Sequence, residues 1–155
     1  TSEAGAVTWC NGETGTAGVI SAANSLVGTS QDDNVGSGGV IALANGNYVV
    51  RSPDWDEQPF LPDSGAVTWG SGTSGVSGAV TRFNSLVGTT GTTTGSILRG
   101  SVVALANGNY VVRSPNFSGF TGAATWCNGI TGSTGRVSAA NSLVGSAAGD
   151  LCQRW

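Results

Sequence analysis

Apolar residues occur in short alternating runs along this chain, and nearly every run ends at a glycine, an asparagine or a proline. In "VIALANGNYVVRSP", from Val40, the alternation predicts strands over residues 40–43 and 48–52. The dipeptide Asn45-Gly46 joins them and supplies the positive φ angles of a tight hairpin turn. The same pattern predicts strands over 102–105 and 110–114, joined through Asn107-Gly108. Pro53 and Pro115 stop the second strand of each hairpin, because proline cannot donate a ladder hydrogen bond. A different stretch, "GAVTWCNGETGTAGVISAANSLVG" from Gly5, predicts strands over 6–9 and 19–26 with a Gly/Thr-rich loop between them.

The second kind of stretch returns as "GAVTWGSGTSGVSGAVTRFNSLVG" from Gly65 and "GAATWCNGITGSTGRVSAANSLVG" from Gly122, so Trp9, Trp69 and Trp126 are spaced 60 and 57 residues apart. The hairpin stretch falls between the copies. Residues 1–155 therefore read as a single repeat domain with copies starting near 5, 65 and 122, the last incomplete. Each full unit predicts a four-stranded antiparallel meander, and repeats of this period predict an all-β protein of propeller-like blades, with a β-prism-like three-part arrangement as the alternative. About two and a half blades cannot close a ring. Open sheet edges follow, and with them the expectation of a homo-oligomer.

Composition supports the all-β reading: 26 glycines, no methionine, and many Ser, Thr, Asn and Val. Charged residues make up 10% of the chain and the formal net charge is −3, which gives no basic footprint for nucleic acid. No apolar run is long enough for a spanning helix, so membrane insertion is not expected. The lack of an initiator methionine reads as a mature or excised product. Three cysteines suggest one structural disulfide in an oxidising, extracellular setting; Cys127 with Cys152 would close a short loop, and Cys10 with Cys152 would tie the ends.

The segments "GAVTWCNG", "VSAANSLVG", "ALANGNYVVRSP" and "SPDWD" together cover nearly the whole chain. They resemble the WGNG-type tandem repeats of large bacterial secreted or surface proteins, including filamentous-haemagglutinin-like adhesins. That resemblance implies a secreted or cell-surface array with an adhesive or structural role, and it implies no catalytic residues. The middle copy departs from its neighbours with Gly70 in place of Cys and Arg82-Phe83 in place of Ala-Ala. A weaker similarity links the hairpin to bulb-type mannose-binding lectins, but the Gln-x-Asp-x-Asn-x-Val-x-Tyr sugar motif is absent, so that site does not transfer.

Among candidate chemistries, nucleophilic catalysis lacks its base, because the chain has neither histidine nor lysine. No enzymatic activity and no cofactor are expected. Asp54 and Asp56, with Trp55 and Phe60 nearby and Phe117 as the counterpart of Trp55, form the candidate ligand-binding loops of an alternative reading, a carbohydrate-binding lectin. Asp33 and Asp150 occupy equivalent positions and suit turn formation better than calcium; no metal site is expected. The recurring Trp9, Trp69 and Trp126 are expected to pack between sheets. Asn24, Asn84 and Asn141, set in apolar surroundings, are expected to bond to nearby backbone.

Overall fold

The computed structural model describes residues 3–57, 62–89 and 100–150. Along the chain run β1 (Ala6–Val7), β2 (Leu26–Val27), β3 (Val40–Ala42), β4 (Tyr48–Ser52), β5 (Ala66–Gly70), β6 (Gly78–Ala79) and β7 (Ser85–Val87). They are followed by β8 (Val102–Ala104), β9 (Tyr110–Ser114), a helical turn α1 (Phe117–Phe120), β10 (Ala123–Cys127), β11 (Gly135–Arg136) and β12 (Leu143–Val144). Among the described residues these strands form three sheets, ordered β1-β2-β6, β11-β7-β5-β4-β3 and β12-β10-β9-β8, none closed into a barrel. No helix among the described residues is long and apolar enough to cross a membrane.

The middle sheet shows the complete unit. β3, β4, β5 and β7 form the expected antiparallel meander, with Val49 opposite Trp69 and Val67 opposite Leu86. A fifth strand is donated by the following copy, since β11 pairs parallel with β7 (Gly135 beside Leu86, Arg136 beside Val87). The first sheet repeats this join: β6 of the second copy lies parallel to β2 of the first, with Gly78 beside Leu26 and Ala79 beside Val27. In both joins an amide two residues into the donated strand closes the ladder, Val80 to Val27 O and Val137 to Val87 O, each at 3.0 Å.

Two apolar cores lie between the three layers. Leu26, Val50, Ala66 and Val87 meet between the first and second sheets. Leu43, Val49, Val67, Leu86, Tyr110 and Val112 belong to the core between the second and third. Consecutive residues such as Val49 and Val50 thus enter different cores, because successive side chains of a strand point to opposite faces. A sheet covered on both sides buries consecutive apolar residues, as β4 does at Val49-Val50 and β5 at Ala66-Val67.

The hairpin turns differ in detail from the expected two-residue form. Gly46 N–H donates to Leu43 O at 3.0 Å and Leu43 N–H to Asn47 O at 2.8 Å, and only Gly46 of the turn has positive φ (+86°). This is a three-residue loop, a turn followed by a left-handed glycine. The expected strand over 19–26 is also replaced. Residues 21–24 form a turn, with Ser25 N–H donating to Ser21 O at 2.9 Å, and pairing resumes only at Leu26. The expected disulfide is not formed among the described residues: Cys10 is free and exposed, Cys127 is free and buried, and Cys152 lies outside the described residues.

Candidate functional site

The recurring polar residues build an internal relay in each copy. Asn24, Asn84 and Asn141 each donate from Nδ2 to the carbonyl five residues earlier, at 3.0, 2.8 and 2.9 Å. Each Oδ1 accepts the amide three residues earlier, from Ser21, Thr81 or Ser138. Bonding to nearby backbone is therefore what these asparagines do. Their Oδ1 atoms also meet the hydroxyls of Ser25, Ser85 and Ser142 at 2.9–3.0 Å. An amide oxygen can only accept, so each serine donates there. The serine's second contact, 2.7 Å to Thr8, Thr68 or Thr125, must then have the threonine as donor.

The tryptophans hold copies together. Gly75 and Gly132 turn at φ +74°, and a Cβ added to them would lie 2.6 Å from Trp9 Cβ and 2.8 Å from Trp69 Cβ. Each tryptophan thus rests on a bare glycine of the following copy, and Trp69 Nε1 also donates to Gly129 O at 3.0 Å. Asn45 and Asn47 add two more hydrogen bonds to that same carbonyl, each at 2.8 Å. Trp126 departs from the expected packing and stands exposed.

Of the predicted ligand residues, Trp55 is buried, in the core between the first two sheets. It nonetheless lines a groove of about 330 Å³ together with Thr29, Asp56, Glu57, Arg82 and Phe83. Its indole Nε1 has no hydrogen-bond partner among the described residues. Asp56 Oδ1 accepts the Asp63 amide at 2.6 Å, and its own amide donates to Asp33 Oδ1 at 3.1 Å. Asp54 Oδ2 accepts from Ser37 Oγ at 3.5 Å. Phe117 packs against the core between the second and third sheets, and Phe60 lies outside the described residues.

Glu57, absent from the predicted site, is its electrostatic centre. It is mostly buried and pairs with Arg82 at 3.2 Å and Arg136 at 2.9 Å, joining the second and third copies. The Arg82 guanidinium also sits 4.9 Å over the ring of exposed Phe83. The departure of Arg82-Phe83 from its neighbours' Ala-Ala was the sequence signal for this corner.

The other polar positions are structural. Asp33 Oδ2 accepts the amides of Thr29 and Ser30 at 2.7 and 2.8 Å, and Asp150 Oδ2 accepts those of Ser146 and Ala147 at 2.9 and 2.8 Å. These backbone hydrogen bonds hold the exposed Asp150 carboxyl below its usual range. Burial pushes the Cys127 thiol up to about 11 and raises Tyr110, its cross-strand neighbour. Where the middle copy has Gly70 in place of this cysteine, the Tyr48 ring fills the space: a Cβ there would lie 2.3 Å from its Cζ.

The geometry defines a tandem-repeat protein of face-stacked, all-β units, the first two each completed by a strand from the next. The chain belongs to the DUF5650 family, described as a repeat of unknown function, which matches three times, over residues 1–37, 42–96 and 104–154. Neither a curated protein nor a solved structure matches it.

Proposed function

We propose that this chain is a non-enzymatic extracellular module of secreted or surface arrays, serving adhesion, recognition or scaffolding. The observation that carries the reading is the identical joining of copies. The same parallel register and the same tryptophan-on-glycine contact recur at both junctions. An interface repeated in this way builds length and surface, as in repeat proteins whose units contact only their neighbours. The groove carboxylates are already engaged, Glu57 by two arginines and Asp56 by a backbone amide. Face-to-face packing of four-stranded meanders also supports the finer reading of the sheets as propeller-like blades, and the resemblance to WGNG-type repeats supports placement outside the cell.

Fractionation of the producing cell tests this. Recovery in the medium, or on the surface within reach of added protease, is the expected result; retention inside the cell would refute it. A second reading, carbohydrate binding, is favoured by the Trp55 N–H, which has no partner among the described residues and lines a groove beside exposed Phe83. Glycan-array binding lost in Phe83→Ala supports it, and silence of the wild type at high concentration rejects it.

A further inference from the structure

We propose that the two ends of the stack are complementary and that a second copy of this chain docks head to tail, its first repeat laid on the last repeat of its partner. The inference rests on the array reading above and adds the surfaces, the register and the occupant.

The last copy displays what the earlier copies bury. Leu26 and Leu86 are fully buried, each beside a donated strand, whereas Leu143 at the same repeat position is 68% exposed. Trp9 and Trp69 rest on glycines of the next copy, whereas Trp126 is 56% exposed. Leu143 belongs to β12, an edge strand of its sheet, at the position where β2 and β7 receive β6 and β11.

The first copy carries the matching parts without a partner among the described residues. Val80 and Val137, which close the two donated ladders, are 2% and 0% exposed, whereas their equivalent Ile20 is 62% exposed and its neighbour Val19 is 86% exposed. A Cβ on Gly15 would meet nothing within 4 Å, although Gly75 and Gly132 in its position each hold a tryptophan.

These parts are already shaped for docking. Gly15 N–H donates to Asn11 O at 2.8 Å, as Gly75 does to Ser71 O at 2.9 Å and Gly132 to Asn128 O at 3.0 Å. Asn24 Nδ2 holds the Val19 carbonyl just as Asn84 and Asn141 hold those of Ala79 and Arg136. A preformed edge costs little ordering on association. Continuity with the two internal junctions fixes the register: Gly18 beside the partner's Leu143, Val19 beside the partner's Val144, and Ile20 N–H donating to the partner's Val144 O. Gly15 then receives the partner's Trp126. The contact is heterologous, so it propagates rather than closing as a dimer.

Sedimentation velocity on the 155-residue chain under reducing conditions tests the proposal. The expected result is a concentration-dependent series of dimers and longer chains, with alkylation of exposed Cys10 slowed at least tenfold once assembled. Leu143→Asp and Ile20→Asp alter exposed side chains, so both should keep the wild-type circular dichroism. Each variant alone should be monomeric, and their equimolar mixture should give dimers and nothing larger, because only one intact pair of ends remains. A monodisperse monomer at every wild-type concentration, assembly unchanged in both variants, or a mixture that stays monomeric would overturn it. None of these outcomes bears on cell fractionation, so the docking can fail while the array reading stands.

Discussion

Thr68→Val removes a single buried hydroxyl without changing side-chain shape, and its cost follows from the direction of the relay. Thr68 donates to Ser85 Oγ at 2.7 Å, Ser85 donates to Asn84 Oδ1 at 2.9 Å, and both hydroxyl-bearing residues are fully buried. Without Thr68's proton, Ser85 Oγ still donates but accepts nothing, a loss of about 1–3 kcal/mol for a buried group. Ser85→Ala strands the Thr68 hydroxyl with no acceptor and costs a similar ~1–3 kcal/mol. The double variant removes both partners, so it should be less destabilised than the two singles combined by about 1–2 kcal/mol. Urea unfolding followed by tryptophan fluorescence, at constant m, reads all four corners of the cycle. Thr8→Val in the first copy should cost less, since Thr8 is only partly buried and water can replace its donor. Strict additivity, or a Thr68→Val effect within about 0.5 kcal/mol of zero, would refute the relay.

Repeat position makes further contrasts. Leu86→Ala should cost about 2–5 kcal/mol, and Leu143→Ala less than about 0.5 kcal/mol in dilute monomer, both read from urea midpoints. Gly132→Ala forces a Cβ against Trp69 and also strains a left-handed backbone, whereas Gly15→Ala has only the backbone strain of about 1–2 kcal/mol. Equal losses of thermal stability in those two variants would contradict the tryptophan seat. The Cys127 thiol titrates near 9.0 unfolded and about 11 folded, so the unfolded state loses its proton first and stability falls as pH rises from 9 to 11. Cys127→Ala should flatten that alkaline decline, worth at most about 3 kcal/mol, although Tyr110 contributes in the same direction. A decline of unchanged steepness in the variant would show that the thiol is not responsible.

The hairpins were readable because alternation and Asn-Gly act locally; β4 and β9 span the predicted residues, and only the turn type differed. The predicted strand over 19–26 misled because Val-Ile and Ala-Ala resemble strand residues, while the Asn24 side chain bends the backbone through hydrogen bonds no periodicity shows. The donated strand was missed for a different reason. β6 and β11 are two residues each, and Gly-Ala or Gly-Arg carries no strand signal apart from recurrence nine residues after each tryptophan. In the candidate groove, Trp55 looked like a loop-tip aromatic yet its ring serves the core. Glu57 read as one more carboxylate of a solvated acidic loop, because its arginine partners are distant in sequence, 25 and 79 residues away.

The donated strand places the structural boundary out of phase with the sequence period. A duplication of one period, wherever its breakpoints fall, regenerates a matched pair of joining surfaces, because every copy carries both the strand it gives and the edge it receives. The two periods differ by three residues, yet both tryptophans keep their glycine seats, so the joining surfaces tolerate a change of length in the loops between them. Recombination between copies can therefore lengthen or shorten such a gene in steps of one unit without any new interface having to evolve.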